Sequence, residues 1–210
     1  MKWIAVSVAF LAIGAVTFGG LLLAARDSSN HGASAPPAGP YRGSHPPAGI
    51  RAPDFALRSY KGPLVSMREQ RGKVVLLSFV DTQCTEKCPI VTSVMASAYR
   101  RLTPAQRRQV VPLLVTVEPR SDTPAHVRRF LARRNALAID YLIGSVARLR
   151  PVWKAYGILP AVDSGNADVH SSDVRVFDRD GVWVTTQHAG VDLTPANLAH
   201  DAREALERSS

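Results

Sequence analysis

A continuous apolar run followed by a pair of cysteines constrains the fold of this chain more than any other feature. Lys73 to Val80 reads K-V-V-L-L-S-F-V, which is typical of a central strand covered on both faces. Cys84 and Cys88 follow after a short loop, and Pro89 fits the first turn of a helix. Because the chain has 2 cysteines in all, the pair predicts either a redox device or a soft-metal site.

The rest of the chain alternates strands with helices, which predicts an α/β fold. The helix at Pro89 is expected to run to about Leu102 and to bury Ile90, Val94, Met95 and Ala98. The other predicted elements are edge strands around Lys61-Gly62, a central strand at 110–117, helices after Thr103 and Thr123, a strand at 141–144, a helix at 146–156, a hairpin around 178–181 and a helix after Thr194. This order requires crossover connections and ends in a hairpin, so we predict a thioredoxin-like mixed sheet flanked by helices.

The first 52 residues differ in composition from the rest. Trp3 to Ala25 carry no charge and are long enough to cross a bilayer, so residues 1–26 are predicted to be a transmembrane anchor, with a cleaved signal peptide as the alternative. Residues 27–52 are rich in Pro, Gly, Ser and Ala, which predicts a tether. The folded domain is then expected at residues 53–210, on the periplasmic or exterior side of the cell membrane.

The net charge of +9 can steer acidic partners or anionic lipid heads towards the protein. Nucleic acid is disfavoured as a partner, because no aromatic residues interleave with the arginines to form a stacking platform. The arginines of the helix after Thr123 are interpreted as a solvated face; they are Arg128, Arg129, Arg133 and Arg134.

The cysteine pair supports two chemistries. As a redox pair, the thiols would be shifted towards thiolate by the helix N-terminus and by Lys87. Three residues separate Cys84 from Cys88, whereas the usual redox motif has two, so this chemistry is allowed but not specified. As a metal site, two thiolates suit Cu(I) or Zn(II), and a third ligand is needed.

Six histidines are candidates for that third ligand. His170 lies in a polar loop just before the first hairpin strand, and a thioredoxin-like fold would bring this loop close to the cysteines. The alternative is that His170 is a surface or hydrogen-bonded histidine. The remaining histidines are His31, His45, His126, His188 and His200.

Three segments in order resemble the Sco/SenC family of copper-binding proteins of cytochrome c oxidase assembly. They are Cys84-x-x-x-Cys88-Pro89 after the Gly72–Phe79 strand, the Glu118-Pro119-x-x-Asp122-Thr123 segment, and His170 before a strand ending in Asp178-Arg179-Asp180-Gly181. The resemblance covers about residues 50 to 208. The chain departs from the family pattern at Thr85-Glu86-Lys87 between the cysteines and at Glu118, where the family has aspartate.

The resemblance implies that Cys84, Cys88 and His170 are copper ligands. It further implies a metallochaperone that delivers copper to the dinuclear copper centre of a cytochrome c oxidase subunit. A disulfide between the cysteines would switch this function off.

The alternative is an enzyme, a thiol–disulfide oxidoreductase in which Cys84 and Cys88 attack and resolve a partner's disulfide. A peroxide-reducing enzyme of the same fold is a third reading. Copper binding is expected to fall sharply without His170, whereas simple dithiol exchange and peroxide reduction should not need it.

Overall fold

The centre of the molecule is a parallel pair of buried strands, β3 (Val74–Val80) and β4 (Val110–Thr116). The computed structural model describes residues 39–164 and 173–208. Within these residues one sheet of seven strands has the order β2-β1-β5-β4-β3-β6-β7. The remaining strands are β1 (Ala56–Ser59), β2 (Leu64–Ser66), β5 (Asp140–Ile143), β6 (Asp173–Phe177) and β7 (Trp183–His188).

The sheet is mixed, as the sequence predicts. Strands β3, β4 and β5 run parallel, whereas β1 and β6 join them in antiparallel pairings. The closing hairpin pairs β6 with β7 through a turn in which Gly181 has a φ of 70°. A glycine suits this position because a positive φ strains other residues. The predicted thioredoxin-like mixed sheet flanked by helices is therefore confirmed.

Three helices begin at residues whose side chains cap them. The side chains of Thr103, Thr123 and Ser145 each accept a hydrogen bond from the backbone N–H three residues later. The helices are α1 (Lys87–Arg100), α2 (Pro104–Arg107), α3 (Pro124–Ala132), α4 (Val146–Tyr156), α5 (Ala161–Ser164) and α6 (Pro195–Arg208), with a 3-10 turn at Arg68–Gln70.

Alternate residues of β3 point into two separate cores, one on each face of the sheet. Val74, Leu76 and Val80 join the core that contains the buried faces of α1, α3 and α6. Val75, Leu77 and Phe79 join the other core, which is built around Trp153 and the rest of the buried face of α4. Both cysteines belong to the first core.

One residue of α1 departs from the predicted burial. Met95 and Ala98 are buried and Val94 is partly buried, but the side chain of Ile90 is 51% exposed. Cys88 and Val91 occupy the inward positions of the first turn, so Ile90 is directed towards solvent.

The second half of the predicted tether is packed on the domain. Tyr41 is buried, Ser44 forms an isolated bridge with Thr186 of β7, and Arg51 forms one with Val182, the residue before β7. A Cβ atom on Gly43 would lie 2.4 Å from the carbonyl oxygen of Thr186, so this contact requires glycine. The structure therefore corrects the predicted tether boundary at Ala52, because the backbone pairs with the sheet from Ser44 onwards. We call residues 39–52 the N-terminal strap.

The predicted anchor at residues 1–26 and residues 27–38 of the tether lie outside the described residues. Among the helices that the structure does describe, none is both long and apolar enough to cross a membrane.

Candidate metal and redox site

The two cysteines lie where the central strand β3 passes into helix α1. Strand β3 ends at Val80, Cys84 lies in the loop of residues 81–86, and Cys88 is the second residue of α1. The loop is stabilised by Asp81, whose side chain accepts a 2.6 Å hydrogen bond from the backbone N–H of Gln83. Both sulfurs are thus placed at one end of the sheet by regular structure on either side of the loop.

Backbone N–H groups point at both sulfur atoms. The N–H of Cys88 donates to the Sγ of Cys84 over 3.2 Å, and the N–H of Asp81 donates to the Sγ of Cys88 over 3.4 Å. N–H donors favour the thiolate over the thiol, because only the thiolate carries a full negative charge. The loop therefore provides donors for two sulfur anions.

In this structure the cysteines form a reduced dithiol. Cys84 is 3% exposed and Cys88 is 2% exposed. A hydrogen bond with the Cys84 side chain, followed by burial, raises the pKa of the Cys88 thiol well above its usual range. The expected shift towards thiolate is therefore not found for Cys88 in the dithiol form, because the hydrogen bond with Cys84 and burial outweigh the N–H donor of Asp81.

A buried aspartate attaches the cysteine loop to the rest of the sheet. Asp122 accepts hydrogen bonds from the backbone N–H and hydroxyl of Thr82, and from the hydroxyl of Thr116 over 2.6 Å. Tyr141 contributes a further hydroxyl. Burial raises the pKa of Asp122 more than these donors lower it. Sequence reasoning placed Asp122 in a family-like segment but gave it no role, because its partners are scattered along the chain.

His170, the predicted third ligand, lies outside the described residues, as does His31. The four histidines that the structure describes have other neighbours: Tyr41 for His45, Ser121 for His126, Ser44 for His188, and Asp201 and Glu204 for His200. Across residues 39–164 and 173–208, no three His, Cys, Asp or Glu side chains are grouped so that they could hold a metal ion.

The donor chemistry fits a soft metal ion with one more ligand. Two cysteine sulfurs lie together, each with an N–H donor, and thiolate is the ligand that Cu(I) and Zn(II) prefer. The same two sulfurs can form a disulfide on oxidation, since a hydrogen bond already joins the two side chains. The geometry of the pair thus serves both predicted chemistries.

Comparison with known proteins identifies the family. The SCO1/SenC family model matches residues 44–207. A SCO2-like protein of Rickettsia felis is 24% identical over 151 residues, which cover 69% of this chain and 72% of the relative.

Solved structures share the fold. ScoI of Bradyrhizobium japonicum with copper bound has a TM-score of 0.63 and 24% identity, and the match covers 75% of this chain and 100% of that one. BsSco, described as a Sco-family cytochrome c oxidase assembly protein with a disulfide switch, has a TM-score of 0.65 and 23% identity over 79% of this chain and 99% of its own. Since the family model covers most of the chain, this protein belongs to the SCO1/SenC family.

Proposed function

We propose that this protein binds copper as cargo through Cys84, Cys88 and His170 and delivers it to the dinuclear copper centre of cytochrome c oxidase. The observation that carries the proposal is the pair of adjacent sulfurs, each facing a backbone N–H at the end of a central strand. Copper is bound in the relative ScoI, which supports the same cargo here.

Each residue has a separate part in the proposed delivery. Cys84 and Cys88 supply thiolates, so their protons leave when the metal is loaded. His170 supplies an imidazole, and three ligands leave the copper open to a ligand of the recipient. Transfer then proceeds by stepwise exchange of ligands with the copper-bearing oxidase subunit. A Cys84–Cys88 disulfide removes both sulfur donors and switches loading off.

The test is a titration of the reduced full-length protein with Cu(I) and Cu(II). The variants are Cys84→Ser, Cys88→Ser and His170→Ala, with His188→Ala as the matched control because His188 contacts Ser44 in the N-terminal strap. We expect each of the three to lose affinity and the control to match wild type. Equal binding by His170→Ala and wild type would disprove the ligand assignment. A wild-type protein that binds no copper would disprove the function.

A second candidate function is thiol–disulfide exchange, favoured by the hydrogen bond between the two cysteine side chains. One thiolate attacks a partner disulfide and releases one partner thiol; the other cysteine then attacks the mixed disulfide and releases the second. The products are a Cys84–Cys88 disulfide and two partner thiols, so electrons and protons balance. This activity should survive His170→Ala, which separates it from copper binding.

The proposal includes a membrane anchor at residues 1–26 that holds the domain on the periplasmic or exterior side. Its support is the uncharged run from Trp3 to Ala25. Fractionation of cells that express the full-length chain is the test. We expect the protein in the membrane fraction and accessible to protease from outside; recovery of a shortened protein from the exported soluble fraction would favour a cleaved signal peptide.

A further inference from the structure

Arginines of α3 and of the turn after it border the loop that carries Cys84. Together they line a cavity of about 220 Å³ whose remaining walls include Thr82 and Gln83, one and two residues before Cys84. The lining residues are Thr82, Gln83, His126, Arg129, Phe130, Arg133 and Arg134. Arg128, Arg129 and Arg133 are exposed, as a solvated face requires, whereas Arg134 is partly buried. We call this cavity the basic pocket.

The basic pocket carries positive charge that no acidic residue of its lining neutralises. Three of its lining residues are arginines, one is a histidine and none is acidic. Within the part of the chain that the structure describes, the ion pairs involve other residues, and neither Arg129 nor Arg133 pairs with a carboxylate. Arg129 and Arg133 are four apart in sequence, a spacing at which like charges on a helix repel each other.

Arg134 is held in place by the protein. Its Nη1 donates to the carbonyl oxygen of Phe130 over 2.7 Å, and its guanidinium carbon lies 3.8 Å from the centre of the Phe130 ring. Its Nε atom is buried with no hydrogen-bond partner in the structure. A buried donor without a partner costs free energy.

His126 has its orientation fixed as well. Its Nδ1 lies 2.7 Å from the carbonyl oxygen of Ser121, and since a carbonyl only accepts, Nδ1 carries the proton. The imidazole is thereby held beside the arginines at one wall of the basic pocket.

The chemistry of the pocket suits an oxyanion, and a carboxylate is the oxyanion that an unmodified protein surface carries. Guanidinium groups bind carboxylates through paired, charge-assisted hydrogen bonds. Thr82 and Gln83 place the pocket directly beside Cys84, and Lys87 adds an exposed positive charge within the same loop-to-helix segment. A carboxylate bound here would lie next to the cysteine pair.

A protein partner explains the neighbouring surface better than a free anion does. Ile90 lies two residues after Cys88 and is 51% exposed. A protein interface combines an apolar centre with a polar rim, and Ile90 lies one helical turn from the exposed Lys87. A small anion would have no use for Ile90.

We propose that the basic pocket receives an acidic side chain of the protein partner that docks over Cys84 and Cys88. The transfer of copper or electrons to this partner rests on the proposed function, whereas the docking of the acidic side chain does not. Charge of opposite sign on the partner would speed the encounter and set its orientation.

The test uses the full-length protein and an oligoglutamate peptide as the probe of an acidic partner surface. Binding is followed by calorimetry and by amide shifts of the labelled protein. The variant is Arg129→Glu/Arg133→Glu. The matched control is Arg128→Glu, because Arg128 is an exposed arginine of the same helix that does not line the basic pocket.

We expect the peptide to shift the amides of Thr82, Gln83 and residues 126–134 in wild type. The double variant should bind about tenfold more weakly, and the control should lose much less. Arg129→Gln/Arg133→Gln, which removes the charges without reversing them, gives the same answer if the reversal variant is poorly folded. Equal peptide affinity in wild type and the glutamine variant would overturn the proposal.

Inorganic phosphate and an oligolysine peptide are titrated in parallel. Phosphate that binds as tightly as oligoglutamate would show a small-anion site and overturn docking, and so would equal binding of oligolysine. Copper titration of wild type is read separately. Its failure would count against the proposed delivery function and leave the peptide result intact.

Discussion

The hydroxyl of Tyr141 donates a hydrogen bond to the carboxylate of Asp122, and both side chains are buried beneath the cysteine loop. Tyr141 lies on β5, and Asp122 also accepts from Thr116 at the end of β4 and from Thr82 after β3. One carboxylate therefore links the loop after β3 to side chains of β4 and β5. The position of the cysteine loop depends on this carboxylate.

Asp122→Asn should destabilise the fold by about 3 kcal/mol. The amide nitrogen of asparagine is itself a donor, and it would face the N–H and hydroxyl groups that now donate to the carboxylate. Tyr141→Phe, which removes one donor, should cost less, about 1–2 kcal/mol. Urea unfolding of both variants and wild type measures these values. An Asp122→Asn protein as stable as wild type would contradict the role given to Asp122.

The stability difference between wild type and Asp122→Asn should depend on pH. Burial raises the pKa of Asp122 above its ordinary 3.8, so folding favours the protonated carboxyl. The stabilisation from this preference is fully present below the pKa of Asp122 in the unfolded chain. It is lost as the pH rises through the pKa of Asp122 in the folded protein. We therefore expect the advantage of wild type to shrink as pH rises from acid to neutral in urea titrations. An advantage that grows over that range would reverse the assigned direction.

The reduced cysteines should react slowly with iodoacetamide in the folded protein. At 3% and 2% exposure, Cys84 and Cys88 can be reached only after local opening. We expect alkylation at least about tenfold slower in native buffer than in urea, measured by mass spectrometry. Cys84→Ser and Cys88→Ser, each with one thiol, identify which sulfur reacts first. Native and unfolded rates that agree would mean that the dithiol is open to solvent.

Asp201→Ala should release the N-terminal strap. The buried Asp201 carboxylate accepts hydrogen bonds from the N–H of Arg42 over 2.8 Å, the N–H of Gly43 over 3.2 Å and the Nε2 of Gln187 over 2.7 Å. Trypsin should then cleave after Arg42 and Arg51 faster than in wild type. Gly43→Ala, which displaces the strap by contact with Thr186, should do the same.

The matched control for the strap is Glu207→Ala, which removes an exposed carboxylate from the same helix α6. It should leave the cleavage rates at Arg42 and Arg51 unchanged. Protection of these sites in Asp201→Ala would show that other contacts hold the strap.

The central strands and the capped helices could be predicted from sequence because their signals are local. The apolar run of β3 and the Thr-Pro pair that starts α3 each lie within a few residues. The strap could not be predicted, because its pairing uses backbone groups and the missing side chain of Gly43. The Asp122 contacts were missed for a related reason: their partners are spread from Thr82 to Tyr141.

The site was predicted in part. Cys84 and Cys88 lie together because the loop before α1 folds back, so that the N–H of Cys88 donates to the Sγ of Cys84. The ligand role of His170 stays a prediction. The basic pocket was not foreseen, since the sequence of α3 does not show that its arginines reach Thr82 and Gln83.

The pairing of the strap has a practical consequence for any shortened form of this protein. Strand β7 is at the edge of the sheet, and edge strands with uncovered N–H and C=O groups invite pairing with other chains. Ser44 exchanges two hydrogen bonds with Thr186, and the N–H of Trp183 donates to the carbonyl oxygen of Ile50. A fragment that begins at Pro53 would uncover this edge and should self-associate more readily than one that keeps the strap.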